Sequence, residues 1–341
     1  MNATILIIYT GGTIGMIQDP KTLSLKPFNL AHLLETIPEL ERFNFNIHSS
    51  SFDEPIDSSN ATPELWSHLV SIIHDNYEKY DGFVILHGTD TMAYTASALS
   101  FALEGLSKPV VITGSQLPIG MLRTDGKENL ISSIEIAATL PQIFAENRGE
   151  VCIYFDGFLF RGNRTIKSST QHFEAFESPN FPALAEVGVD VKFDLDHFLQ
   201  KRDEPFNAKK EFADAVGVLY LFPGITMDTV KATFSNPKNQ VYIMCTFGSG
   251  NGPTDDEFLE FLEFQINRGK VILNITQCDR GAVDQGKYES SGAYKKIGII
   301  GGLDMTFEAA ITKAMFLLGQ GFSSEELKYK LTEPICGELS T

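Results

Sequence analysis

Short, uninterrupted apolar runs are the feature that most limits what this chain can become. Thr4-Ile5-Leu6-Ile7-Ile8-Tyr9, Phe83 to Leu86, Val110 to Thr113 and Val151 to Phe155 lack the polar alternation of a half-exposed strand, so each reads as a strand buried on both faces. Amphipathic stretches fill the intervals. Pro63 to Tyr80 sets Leu65, Leu69, Ile72 and Ile73 on one stripe behind a Thr62 N-cap and a first-turn Pro63, and Met92 to Leu106 and Gly126 to Leu140 follow suit. Strand and helix in alternation predict an α/β fold with a mostly parallel sheet, whose ligands bind beyond the carboxyl ends of the strands.

From Val187 to Ala213 the chain turns polar without a sustained period. Beyond it, strands are expected at Val216 to Leu221, Val241 to Thr246, Val271 to Thr276 and Ile297 to Ile300, with helices at Thr226 to Phe234, Asp255 to Arg268 and Thr306 to Gly319. The expected organisation is a larger N-terminal domain over 1–188, a linker over 189–213 and a smaller C-terminal α/β domain over 214–341. The chain's 341 residues suffice for two cores.

Charge narrows the partners. Lys and Arg total 27 against 44 Asp and Glu, a formal net charge of −17 that repels nucleic-acid phosphate and anionic membrane. No apolar run approaches a membrane span, and Met1-Asn2-Ala3 leads straight into a strand without a secretory pattern. The 4 cysteines, Cys152, Cys245, Cys278 and Cys336, are too scattered for a metal cluster or a disulfide framework. The expectation is a cytoplasmic protein. The histidines have no metal-ligand spacing, so neither metal nor cofactor is expected. Phe258, Phe261 and Phe264 recur at helical spacing and are expected in the core.

Chemistry concentrates where strands end. The first runs into Thr10-Gly11-Gly12-Thr13-Ile14-Gly15, whose paired glycines let backbone amides approach a ligand while Thr13 offers a hydroxyl. Neither phosphate-loop nor dinucleotide fingerprint fits it. The next ends in His87-Gly88-Thr89-Asp90-Thr91. Asp90 and Thr91 have an alternative use as helix caps, His87 as a structural histidine, whereas Thr89 has none. A hydroxyl nucleophile needs a base, and Lys167, following Arg161-Gly162-Asn163-Arg164-Thr165 on the same edge, is the candidate, with a solvated surface cation as the alternative.

Taken together, Tyr9 to Met16, Asp81 to Thr95 and Arg161 to Thr165, continued by Asn274-Ile275-Thr276-Gln277-Cys278 and Gly301 to Thr306, closely resemble the bacterial-type L-asparaginase family, and its cytoplasmic type I branch most. The resemblance implies a two-domain fold, cofactor-free hydrolysis of L-asparagine to L-aspartate and ammonia, and a homodimer or a homotetramer built as a dimer of dimers. It implies Thr13 as nucleophile and Thr89, Asp90 and Lys167 as a second catalytic cluster. It further implies that Gly12, Ser58, Ser59, Gly88 and Asp90 hold substrate, that Ser115 lies near its side-chain amide, and that Asn251 reaches a neighbouring subunit's pocket.

Two departures from the family pattern stand out. The family commonly places a tyrosine on a lid shortly after the nucleophile, but Ile17 to Lys26 contains none; Tyr288 matches a position that can supply a phenol. Some cytoplasmic members bind asparagine allosterically through an arginine where this chain has Cys245, so weak or absent activation is implied. Glutaminase or mixed amidase activity is the rival within the enzyme class. An amino-acid-binding sensor is the rival outside it, and has no use for both Thr89 and Lys167.

Overall fold

The computed structural model describes residues 2–18, 25–27, 37–144, 149–200, 204–286 and 289–340. The chain forms two compact units, Met1–Lys210 and Glu211–Thr341.

In the first unit, β1 (Thr4–Gly11), β2 (Asn46–Ile56), β3 (Gly82–Leu86), β4 (Val110–Thr113), β5 (Val151–Phe155) and β6 (Phe158–Arg161) share one sheet with two later strands. A small hairpin of β7 (Ile166–Lys167) and β8 (Phe176–Glu177) precedes those two, β9 (Ala185–Val187) and β10 (Val191–Phe193). The spatial order is β10-β9-β6-β5-β4-β3-β1-β2, parallel from β5 to β2 and antiparallel at the β6, β9 and β10 end. Among the described residues, α1 (Pro63–Asn76), α2 (Met92–Ala102) and α3 (Gly126–Ile143) accompany the sheet. Ile5, Ile7 and Tyr9 share a core with Leu130, Ile134 and Ala137 of α3, while Leu6 and Ile8 on the opposite face are equally buried. Both faces are therefore covered, as the apolar runs require.

The differences from the sequence reading have local causes. Thr62 occupies the N-cap of α1, but its side chain makes no capping bond. Strand β2 was not foreseen because its sequence, Asn46-Ile47-His48-Ser49-Ser50-Ser51, carries the polar character of an exposed sheet edge. The α2 helix stops at Ala102 because Leu103 and Glu104 pair with Asn207 and Ala208. That pairing, and the seating of β10 on β9, draw the stretch to Lys210 into the first unit instead of leaving it a free linker.

The second unit has a parallel sheet in the order β11 (Val216–Tyr220), β12 (Val241–Thr246), β13 (Val271–Thr276) and β14 (Ile300–Gly301). Its helices are α4 (Met227–Thr233), α5 (Asp256–Asn267), α6 (Glu289–Lys296), α7 (Phe307–Gly319) and α8 (Ser324–Thr332). Phe258 joins the core with Tyr242, Leu262 and Tyr294, whereas Phe264 is exposed beneath the Arg268 guanidinium, so the phenylalanine stripe is only partly core. No helix of the described residues is long and apolar enough to cross a membrane.

A fully buried ion pair closes this unit. The Lys313 ammonium on α7 donates to Glu338 (2.7 Å) and to the carbonyls of Leu331 (3.0 Å) and Glu333 (2.6 Å), which uses all three of its N–H groups. Burial alone would raise the Glu338 carboxyl, but the Lys313 ammonium and the N–H groups of Cys336 and Ile335 outweigh it and hold the group below the ordinary carboxylate range. Removing one partner strands the other charge in a dry site. Lys313→Met should therefore destabilise the second unit by about 3 to 5 kcal/mol in denaturant unfolding; a loss below about 1 kcal/mol, the scale of a surface pair, would contradict this account.

Candidate active site

Strands β1 and β3 are neighbours running in the same direction, so the loops leaving them contend for one space. Glycine resolves the conflict. Gly12, at φ 87°, passes so close to the next loop that a Cβ there would stand 2.5 Å from the Gly88 nitrogen. A Cβ on Gly88 would in turn stand 2.5 Å from Ser58 Oγ. Thr13 and Thr89, each following one of these glycines, are consequently brought to the same corner of the sheet edge. Thr13 opens a single 3₁₀ turn to Gly15 and is partly exposed, while Ile14 and Gly15 are buried beneath it.

Supporting bonds fix both loops from within. The buried Thr10 hydroxyl donates to the Leu86 carbonyl at 3.0 Å, and the Thr91 hydroxyl donates to the Ser58 carbonyl at 2.7 Å. Ser58 is buried in a short turn whose cap is Asp57; Ser59 is exposed and gives both its N–H (2.9 Å) and its hydroxyl (2.8 Å) to that carboxylate. These two bonds hold the Asp57 carboxyl below its ordinary range.

The expected cap roles of Asp90 and Thr91 do not hold: Thr91 stands at the N-cap of α2 without a capping bond, and Asp90 points elsewhere. The Lys167 ammonium donates to Thr89 Oγ1 at 2.8 Å and to Asp90 Oδ1 at 2.6 Å. The Lys167 side chain is 15% exposed and that of Asp90 63%, so Lys167 is not a solvated surface cation. Its hairpin, with Lys167 opposite Phe176, follows the buried turn Gly162–Arg164, where a Cβ on Gly162 would meet the Val151 carbonyl at 2.9 Å. Arg161 is structural: buried against Glu150 at 3.2 Å, it also donates to the His197 carbonyl.

His87 is ruled out as a base by its bonds. The Trp66 indole N–H donates to Thr95 Oγ1 (3.2 Å), Thr95 donates to His87 Nε2 (3.0 Å), and His87 Nδ1 donates to the Gly88 carbonyl (2.7 Å). Because the Gly88 carbonyl can only accept, Nδ1 carries the proton, and in the neutral ring Nε2 is left to accept from Thr95. Burial then lowers the His87 pKa from 6.5 to about 4.

The remaining expected residues are dispersed. Ser115, at the end of β4, is buried and its hydroxyl donates to the Leu117 carbonyl at 2.6 Å. Asn251 belongs to the second unit, where it exchanges backbone bonds of 2.8 Å with Phe247 across a glycine-rich turn. Tyr288 lies outside the described residues. The backbone of Met16–Gln18 pairs with Leu25–Pro27 after the loop that bears Thr13. Cys245 is buried in β12, its thiol pushed up to about 11 by burial. Sequence reasoning missed Asp125 and Asn129, whose only visible signal was an acidic residue before a helix start.

The Thr89 hydroxyl, the Lys167 ammonium and the Asp90 carboxylate gather at the carboxyl edge of a parallel sheet, beside the loop that bears Thr13, an arrangement suited to an α/β hydrolase. Residues 4–198 match the family described as Asparaginase, N-terminal, and residues 215–330 match the Glutaminase/Asparaginase C-terminal domain. The chain belongs to the asparaginase family. It is 40% identical to L-asparaginase 1 of Escherichia coli K12, over 99% of this chain and 98% of that protein. It is 39% identical to the 60 kDa lysophospholipase of Mus musculus, over 98% of this chain but 62% of that longer protein. The crystal structure of L-asparaginase I from Vibrio cholerae superposes with a TM-score of 0.91 at 40% identity, covering 100% of both chains.

The depressed His87 value has a definite sign. The folded state disfavours the protonated ring, so its contribution is complete above about pH 6.5 and is lost as pH falls toward about 4. In unfolding measurements between these limits His87→Gln should remove up to about 1.4 kcal/mol of pH dependence per pH unit; parallel stability curves for variant and parent would contradict it.

Proposed function

We propose that this protein hydrolyses L-asparagine to L-aspartate and ammonia without a cofactor. The observation that carries the reading is the Lys167 ammonium bonded at once to Thr89 and Asp90, beside the loop that bears Thr13, in a chain of this family. In this reading Thr13 Oγ attacks the side-chain carbonyl carbon while its proton passes through the Thr89 hydroxyl to Lys167, which acts as base in its neutral amine form and so becomes the ammonium. Asp90 orients Lys167 and binds the substrate ammonium. Backbone N–H groups of the two glycine loops stabilise the oxyanion, each worth about 3 kcal/mol. The carbonyl reforms, the carbon–nitrogen bond breaks, and the leaving nitrogen takes the proton back from the Lys167 ammonium through Thr89 and departs as ammonia. Water then attacks the β-aspartyl ester of Thr13, releases L-aspartate and restores the hydroxyl.

Gly12, Ser58, Ser59 and Gly88 take the substrate-binding positions in this scheme, and Asn251 serves a neighbouring subunit in a homodimer or homotetramer of cytoplasmic location. Tyr288 supplies the phenol that the stretch after Thr13 lacks. Cys245, a buried neutral thiol, offers no bidentate partner for an effector carboxylate, so activation by asparagine is weak or absent. Direct attack by water held at Thr89 is the alternative to the acyl-enzyme.

Ammonia release by the purified protein tests the proposal. L-Asparagine should be preferred over L-glutamine by up to roughly 200-fold, the range one methylene allows. Thr13→Ala and Lys167→Met should each lower kcat by roughly 10³ or more. Rapid quenching should trap an aspartyl adduct on Thr13, the rate curve should be hyperbolic, and Tyr288→Phe should lower kcat/KM. Appreciable turnover by Thr13→Ala with no adduct would overturn the covalent route, and no ammonia from L-asparagine would overturn the assignment.

A further inference from the structure

The end of β4 is held by a pair of α3 side chains that the scheme above does not use. Asp125 occupies the N-cap of α3, yet makes no capping bond to the helix. Its carboxylate instead accepts the N–H groups of Gln116 (2.8 Å) and Leu117 (3.0 Å). Asn129, one turn further on, donates to the Gly114 carbonyl at 3.0 Å and to Asp125 at 3.3 Å, and its Oδ1 accepts the Asp156 N–H at 3.1 Å. Both side chains are buried. The loop they grip lies against the catalytic corner: a Cβ on Gly114 would stand 2.4 Å from the His87 carbonyl. Gln116 Nε2 also donates at 3.0 Å to the carbonyl of His172, in the hairpin that carries Lys167.

Peptide geometry turns this grip into a direction. Across a trans peptide, C=O and N–H point opposite ways. Asn129 draws the Gly114 carbonyl toward α3, so the Ser115 N–H faces away from it. Asp125 draws the Gln116 N–H toward α3, so the Ser115 carbonyl also faces away. Ser115 thus presents a buried donor and acceptor that have no partner among the described residues. Unpaired buried backbone groups are rare enough to require a ligand or a water.

We infer that Asp125 and Asn129 are positioning residues that aim the Ser115 carbonyl at the leaving nitrogen of the substrate. This rests on the asparagine-hydrolase reading. A carbonyl accepts from the amide N–H groups and interacts more strongly as the nitrogen gains a proton and positive charge on departure.

The test compares two substrates that differ only in that leaving group: L-asparagine, which loses ammonia, and the β-methyl ester of L-aspartate, which loses methanol and offers no N–H. In Asp125→Ala the ester-to-amide ratio of kcat/KM should rise roughly tenfold or more. Asp125→Asn keeps one acceptor oxygen and should show a smaller rise in the same ratio, which carries the test if the alanine variant fails to fold. An unchanged ratio in the variant that folds, whether both rates fall together or neither falls, would overturn the inference. Failure of the unaltered protein to release ammonia from L-asparagine would instead strike the underlying reading, before any variant is compared.

Discussion

Two backbones in contact, at Gly12 and Gly88, set the conditions for everything else at the sheet edge. Neighbouring strands of a parallel sheet stand about 5 Å apart, which leaves no room for side chains where both chains turn in the same direction. Because each glycine is followed by threonine, closing the gap brings a threonine from each strand to the same corner. Ser58 enters the same corner from below, anchored by the Thr91 hydroxyl. The site is thus a consequence of strand order together with the absence of two Cβ atoms.

Electrostatics then acts on a frame that is already rigid. An ion pair as open on one side as Lys167–Asp90 contributes little to stability, so its geometry is better understood through what it does to Thr89. Lys167 cannot drift, since its hairpin is paired through Phe176 and joined to the Ser115 loop by Gln116. The His87 relay holds the Gly88 peptide in a fixed plane at the expense of a histidine that can no longer exchange protons near neutral pH. Fixed dipoles of this kind need no reorganisation as charge develops, which is the condition for efficient electrostatic stabilisation.

Much of this was legible in the sequence, for reasons that can be named. Strands β4, β5, β12 and β13 have the bounds their apolar runs predict, because a strand covered on both faces admits few polar residues. Strand β2 and helix α8 were not legible: one is an exposed edge and the other a polar helix started by the Ser323–Glu326 capping box, so neither carries a long apolar signature. At the site, Thr13 and Thr89 stand out because each sits in a glycine loop directly after a buried strand, whereas Lys167 reads equally as a surface cation by spacing and is singled out by a hydroxyl's need for a base and by the family resemblance. The opposite uses of Asp90 and Asp125 could not be foreseen. Each is an acidic residue just ahead of a helix, but one turns to an ammonium and the other to the loop behind it, a choice made by groups elsewhere in the fold.

The central claim is that close backbone approach at Gly12 builds the site. Measuring kcat/KM for L-asparagine in Gly12→Ala, alongside its thermal unfolding, tests it most directly. The account predicts a folded protein whose second unit melts unchanged and whose kcat/KM falls by roughly a hundredfold, the scale of a 1 Å misplacement. A folded variant with activity within about twofold of the parent, well inside that scale, would contradict it.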